Sequence, residues 1–489
     1  MNTELLAAEN QSLRDELARR DAREALLVDK LEALSLELAR LKRQLFGTRS
    51  ERRPGVGEAQ VGLFEAPEPS APEPAPAPVR PAVATPHGRR PPTETPNEVI
   101  VSPVPGACPA CGGALREFSR SSATRLDWRR GHFIHIRVER PSCACDRCKT
   151  VETAPEPSTF ALPRSIIGNG LAAQVIIDKF ADNIPLNRQS TRFAREGLDL
   201  SLSTLCDTVR GIAGLLSRVV LAMKAEQLAG HALRADDTGL PVLDGEAGKA
   251  VAGRLWVYLD DRNVVYDFTP TKQGKGPAAY LTGFNGVLLA DGGSEFNEAI
   301  RALGLTRAGC WSHARRYFID AEETSPALAA EGIGFANRLF AIERGLNGAD
   351  ATERALVRGT QTRQVLDEMR AWLTAKVHGL RPKSAIGRAF HYVLGQWDHL
   401  VVCAEHPEIP IHNNLSELQL RRPVIGRKNW LFAGSEGGAK AAAVLFSITG
   451  SCRLHGIDPY EYLVDVLERI NDHPVSRIAE LTPANWARR

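Results

Sequence analysis

Two short cysteine pairs place the tightest limit on how this chain can fold. "CPACGG" supplies Cys108 and Cys111, and "CACDRCK" supplies Cys145 and Cys148, with 33 residues between the pairs. Two CxxC knuckles can present four thiolates tetrahedrally to one structural Zn²⁺. The long gap predicts one or two hairpins between them, and "HFIHIRVER" alternates as a strand does. Free or redox-active thiols are the competing reading, and Cys143 stands close enough to compete as a ligand. The remaining cysteines, Cys206, Cys310, Cys403 and Cys452, are scattered and read as packing residues. With nine cysteines, no signal-peptide core and no long apolar run, a cytoplasmic protein with reduced thiols and no membrane contact is expected.

The insert between the knuckles holds Arg116, Arg120, Arg125, Arg129, Arg130, Arg137 and Arg140 against three acids. A net charge of +3 over 489 residues is too small to require a nucleic-acid partner, so the clustering matters more than the total. A basic zinc module points to DNA, since the metal supplies the fold and arginine the phosphate contacts. Zinc modules also bind proteins, and a charge run is often just a solvated face.

Upstream, Leu13, Leu17, Leu27, Leu31, Leu34, Leu38, Leu41 and Leu45 recur at spacings of three and four. That seam predicts a coiled coil, and so a homo-oligomer, most simply a dimer, against a lone amphipathic helix as the alternative. It ends in the basic "LKRQLFGTRSERR", and "APEPSAPEPAPAPVRP" follows without apolar period, as in an extended linker. Downstream of the zinc module, "GLAAQVIIDKFADN", "PLNRQSTRFAREG" and "SLSTLCDTVRGIAGLL" form three amphipathic segments. Pro185 is expected just inside the second and Ser203 as the cap of the third. Arg188 and Arg192 fall on one side, so this is either a helix-turn-helix-like DNA-binding unit or a helical spacer.

From residue 230 the texture changes to strands. "HALRADDTGLPVL", "RLWVYLDD" and "NVVYDFTP" precede a short helix, and then comes "GVLLADGG", an oily run that stops on Asp291. A turn-initiating aspartate is the plain explanation; an active-site acid is the other. Three strands, a helix and a fourth strand ending on an acid is how an RNase-H-like mixed sheet begins, with Asp236 and Asp291 side by side. "RAGCWSHARRYFIDA" can supply a fifth strand and helix, a helical insertion follows, and Asn414 can cap a helix carrying Glu417. Three carboxylates suit Mg²⁺ or Mn²⁺, and two such ions about 3.5–4 Å apart serve phosphoryl transfer. Arg315 and Arg316 after the fifth strand, and Arg421, Arg422, Arg427 and Lys428 beyond Glu417, are candidates to hold DNA beside the metals.

The ordered set "KRQLFGTRSER", "CPACGG…CACDRC", "GNGLAAQVIIDKFADNIPLNRQ", "RADDT", "LLADGG", "GCWSHARRYF" and "NNLSELQLRRPVIGRKNWLFAGSEGGAKAAA" resembles the transposases of insertion-sequence-66-type bacterial elements. The resemblance covers nearly the whole chain and implies an α/β multidomain DDE transposase, with Asp236, Asp291 and Glu417 in the acidic positions. It departs at Asp237, where the family usually has Glu, at His412, where it has Asp, and at Leu418, where Arg is frequent. Implied partners are the DNA of element ends and target, and accessory proteins of the same element, in the bacterial nucleoid. A catalytically silent DNA-binding remnant is the alternative, and a simple RNase-H-like nuclease a third. The expected organisation is a coiled coil over 1–53, a linker over 54–97, the zinc module over 98–160 and the helical region over 161–225. The catalytic core follows over 226–320, the insertion over 321–405, the Glu-bearing part over 406–452 and a tail over 453–489.

Overall fold

A computed structural model describes residues 98–129, 132–243, 249–291, 293 and 295–487. The expected coiled coil and linker, and Arg130, lie outside the described residues.

The segment between the cysteine pairs is one long antiparallel hairpin of β2 (Leu115–Arg129) and β3 (His132–Cys145), paired from Leu115↔Cys145 to Arg129↔His132. β1 (Glu98–Val101) runs parallel to β3, and β4 (Val151–Thr153) antiparallel to it, along its other edge. Alternation sends Ile134, Ile136 and Val138 to one face, where they pack with Phe160. The hairpin docks on the helix that follows through two polar anchors. Arg125 is buried, ion-paired with Glu156, and donates to the carbonyls of Leu162 and Ser165 at 3.0 Å. Asp127 Oδ1 accepts Leu171 N–H at 2.8 Å, a carboxylate at a helix N-terminus. Gly168 is required there, because a Cβ would collide with the Asp127 side chain.

Three helices come next: α1 (Asn169–Phe180), α2 (Leu186–Arg195) and α3 (Leu202–Leu228). Pro185 is the residue before α2 rather than its first helical one, and Ser201, not Ser203, caps α3 by accepting Thr204 N–H at 3.1 Å. α3 runs on for 27 residues because Leu216, Val219, Val220 and Met223 keep the helical period on its buried face.

The second sheet is ordered β7-β6-β5-β8-β9. β5 (Ala232–Leu243), β6 (Ala250–Leu259) and β7 (Val264–Thr269) are antiparallel neighbours; β8 (Val287–Leu289) and β9 (Thr306–Ala308) add in parallel beside β5. The β6–β7 turn is closed by Asp260 Oδ1, which accepts the N–H groups of Arg262 and Asn263 at 2.8 and 2.6 Å. α4 (Lys275–Tyr280) leads from β7 to β8, α5 (Glu295–Leu303) joins β8 to β9, and α6 (Trp311–Asp320) follows β9. Then come α7 (Pro326–Gly345), α8 (Ala351–Val357), a π-helical turn, α9 (Arg363–Val377), α10 (Ala385–Gly395) and α11 (Trp397–Leu400). Arg358 in the π turn is buried, ion-paired with Glu343, and donates to the carbonyls of Cys403, His406 and Ile409. The chain returns through α12 (Asn414–Trp430), α13 (Glu436–Leu454), α14 (Pro459–Arg469) and α15 (Pro483–Trp486).

One hydrophobic core joins α1–α3, both faces of this sheet, α13 and α14: Leu171, Leu216, Val257, Phe446 and Leu463 all belong to it. The architecture is thus mixed α/β, with two mixed sheets and many helices. No helix among the described residues is long and apolar enough to cross a membrane.

Candidate functional site

The parallel register of β5 and β8 pairs Ala232 with Val287 and Arg234 with Leu289. Asp291 lies two residues past the end of this pairing and Asp236 two residues past its partner end on β5, and the two are near enough that the Asp291 charge acts on Asp236. Asp291 ends the run because Val287, Leu288, Leu289 and Ala290 are all buried and the chain must then turn out of the sheet. It does form that turn: Oδ1 accepts Gly293 N–H at 3.0 Å. Arg307 of β9 donates to the Asp291 carbonyl at 2.5 Å and to Asn297 at 3.0 Å, fixing the backbone from the other side.

Glu417 reaches the same place on the first turn of α12. Asn413, not Asn414, is the residue that starts this helix, and its side chain does no capping. Asn413 is fully buried; Nδ2 donates to the carbonyl of Ala235 at 2.8 Å, next to Asp236, and Oδ1 accepts the Ser416 hydroxyl at 2.6 Å. Its own N–H donates to Cys310 Sγ at 3.2 Å. The helix is thereby pinned to the strand that bears the first aspartate. Further along, Pro423 lies inside α12 and cannot donate to the carbonyl four residues back. That carbonyl, on Gln419, is taken instead by the hydroxyl of Tyr266 from β7 at 2.8 Å, in a fully buried contact.

Asp236 feels the charges of the other two carboxylates. Asp236 is pushed up to about 7, first by burial and then by the charges of Asp291, Asp237 and Glu417, against the lowering effect of the Asp237 N–H. Glu417 Oε1 is buried and without a hydrogen-bond partner, with His313 Nε2 at 3.5 Å; Arg316 Nη2 lies 3.8 Å from Oε2. Alternation turns Asp237 the other way, where it pairs with Arg254 at 2.8 Å beside the Lys272–Glu295 pair. A buried acid short of donors and an orphaned carboxylate oxygen suit hard cations, which take oxygen ligands.

The four knuckle cysteines come together more tightly. Their sulfur atoms lie within 4.8 Å of one another, with Cys108–Cys148 at 3.4 Å and Cys111–Cys145 at 3.6 Å. A tetrahedral zinc site with bonds of about 2.3 Å separates its sulfurs by about 3.8 Å, so the donor set fits Zn²⁺. Both knuckles turn the same way: Gly112 and Lys149, each just past the second cysteine, have φ of +70° and +57°. The Thr150 hydroxyl and N–H, followed by the neighbouring thiols, hold Cys148 down to about 6, whereas against the lowering Gly113 N–H the other three thiols push Cys111 up to about 12, so a metal must displace the proton these sulfurs share. Cys143 is buried on β3 opposite Glu117 and is not among the clustered four. Among the described residues these four thiols form the group of ligand atoms gathered closely enough to hold an ion.

The basic candidates divide. Arg188, Arg421 and Lys428 are exposed, and Arg316 is exposed beside Glu417. Arg315 is half-buried and donates to Asn337 at 3.0 Å. Arg192 pairs with the buried Asp178, Arg422 donates to the Ala181 carbonyl and Arg427 to that of Gly239. Arg129 stands at the end of β2 across from His132. In the hairpin, Arg120 bridges Glu117 and Glu139, and Arg140 donates to the Ala154 carbonyl at 2.7 Å. Sequence reasoning missed Asn413, Tyr266 and Pro423. Only the proline carried a signal, since a proline inside a helical run leaves a carbonyl in need of another donor.

Four family models match the chain: "Transposase IS66 family" over residues 164–441, "IS66 C-terminal element" over 447–484, "zinc-finger binding domain of transposase IS66" over 105–149 and "Transposase C of IS166 homeodomain" over 33–100. The zinc-finger match encloses all four clustered cysteines, and together they support a structural zinc site. Among curated proteins, the uncharacterized protein y4hP of Sinorhizobium fredii is 34% identical, covering 93% of this chain and 89% of its own. Uncharacterized protein y4jD of the same organism is 30% identical over 93% of this chain and 94% of its own.

Proposed function

Since the chain belongs to the IS66 transposase family, we propose that it cuts DNA at the ends of an insertion sequence, exposing 3′-OH groups, and joins them to target DNA. The observation that carries this is the convergence of Asp291, just past the end of β8, and the unpartnered Glu417 oxygen on Asp236 of the neighbouring strand, with the Glu417 helix pinned to that strand by Asn413. The order β7-β6-β5-β8-β9, antiparallel for the first three strands and parallel for the last two, supports an RNase-H-like catalytic core. On this reading residues 226–320 and 406–452 form the core, and 321–405 are inserted into it.

Asp236, Asp291 and Glu417 would hold Mg²⁺ or Mn²⁺. Two such ions about 3.5–4 Å apart would suit a site of three carboxylates. When bound, such ions activate the attacking oxygen and stabilise the leaving one. The protein's own residues hold and orient: Arg307 fixes the Asp291 backbone, Asn413 fixes α12, and His313 and Arg316 flank Glu417. Arg188, Arg315, Arg316, Arg421 and Lys428 contact phosphates, with Arg129 contributing from the end of β2 and Arg130 next to it in sequence. Arg192, Arg422 and Arg427 instead hold the protein's own backbone and Asp178 in place. The leucine seam of residues 1–53 pairs two chains, which light scattering of a Leu31 and Leu38 polar variant would check.

The test is cleavage and joining of duplexes cut from the DNA bordering the gene, run beside a binding assay. Asp291→Asn, Asp236→Asn and Glu417→Gln should fold and bind DNA yet neither cut nor join, because a neutral amide cannot match a carboxylate toward the metal. Asp237→Asn should be milder. Normal joining by Asp291→Asn would return that residue to a plain turn position. Binding without cleavage by the unaltered chain would make it a DNA-binding remnant.

A further inference from the structure

α12 does not end as helices ordinarily do. Leu431 adopts φ +65° and ψ −49°, with Phe432 N–H donating to the Trp430 carbonyl at 2.8 Å. This is the rarer, strained kind of γ-turn, and a branched residue gains nothing from it sterically. Yet Leu431 is 64% exposed and Phe432 39% exposed, so no burial compensates the strain. The surroundings enforce it. Leu431 N–H is held by the Arg427 carbonyl at 2.7 Å, and Ala433 is laced to the β5 edge by bonds to Pro241 and Leu243 at 2.8 and 2.9 Å. Arg427 itself grips Gly239 on the same strand. The result is an apolar tip that cannot relax into the protein.

Its neighbours indicate what meets it. Arg421 and Lys428 are exposed and lie four and eleven residues after Glu417, within about 40° of it around the helix. Leu431, fourteen residues on, continues that same face. One side of α12 thus runs from an acid through two cations to a protruding apolar pair. The cations match a phosphate backbone rather than an apolar protein surface.

We propose that Leu431 and Phe432 form a wedge that enters the DNA duplex and unstacks a base step, an inference resting on the transposase reading above. At about 1.5 Å per residue the tip stands about 21 Å from Glu417. With about 3.4 Å per base step, the wedged position is about six steps from the phosphate held at the acids. Exposed apolar residues flanked by basic ones are how proteins kink DNA.

The test uses the full chain and end duplexes carrying 2-aminopurine at successive positions on either side of the cut, with Ca²⁺ to hold back cleavage. Emission should rise at least about threefold near the sixth position, as for an unstacked base, and stay flat elsewhere. Leu431→Gly keeps the turn, since glycine accepts positive φ, and should lose the rise while binding the duplex nearly as well. It should also cut intact duplex poorly and recover on a duplex mispaired at that step. A chain that cuts normally with flat emission at every position, or a Leu431→Gly variant with the full rise, overturns the wedge alone. A chain that neither binds nor cuts end DNA overturns the transposase reading, and the wedge with it.

Discussion

Replacing Tyr266 by Phe tests how the Glu417 helix is held. The change removes one hydroxyl from a fully buried site and leaves the Gln419 carbonyl without a donor, because Pro423 has no N–H to offer it. An orphaned buried carbonyl costs about 1–3 kcal/mol, and the phenyl ring fills the same space, so no cavity adds to the loss. Pro423→Ala supplies the missing N–H from within the helix. In that background Tyr266→Phe should be milder by about 1 kcal/mol or more, since Gln419 then keeps a partner. Urea unfolding of the four proteins of this cycle gives the coupling directly. Metal-dependent cleavage should fall in Tyr266→Phe as the helix shifts, and recover in the double variant. Strictly additive losses would refute the argument, because they would mean that the hydroxyl and the proline do not share one carbonyl.

The freshly purified, reduced protein should carry about one Zn²⁺ per chain, and Cys145→Ser should release it and loosen the hairpin while the five-stranded sheet survives; elemental analysis and limited proteolysis report the two effects. Asn413→Ala strips the Ala235 carbonyl and the Ser416 hydroxyl of a buried partner, so it should destabilise by about 2–4 kcal/mol, and thermal melts together with cleavage rates check it. The metal-free folded chain holds a proton on Asp236 up to about pH 7, whereas the unfolded chain releases it near the ordinary carboxylate value. This acid therefore favours folding most at low pH, and that contribution is lost as pH rises through about 7. If Mg²⁺ binds at Asp236 as proposed, it must displace the same proton, so its apparent affinity, read by calorimetry, should weaken as pH falls below about 7.

Features set by local spacing were legible in the chain itself. The buried run before Asp291 and the CxxC pairs needed only strand length and thiol geometry. What the charged residues do was far less legible. Arg422 and Arg427 look like Arg421 and Lys428 in a one-dimensional string, yet the first two are spent on backbone carbonyls of distant segments. An amphipathic period likewise says that α1 and α3 bury a face, but not that the face packs into the same core as the sheet. Asn413 was the hardest to assign. The sequence offered its neighbour Asn414 as the cap, and only the fold reveals that the Asn413 amide crosses to Ala235.

The three acids arrive on the chain far apart, on β5, after β8 and on α12, and the core that supports them closes only with Tyr462, Leu463, Val466 and Leu481. During synthesis at about 5–20 residues per second, Glu417 leaves the ribosome roughly 10–35 s after Asp236. A nascent or truncated chain can therefore complete its cysteine knuckles early while having no third carboxylate. On the proposed reading, DNA cleavage would have to wait until α12 has been made, late in translation.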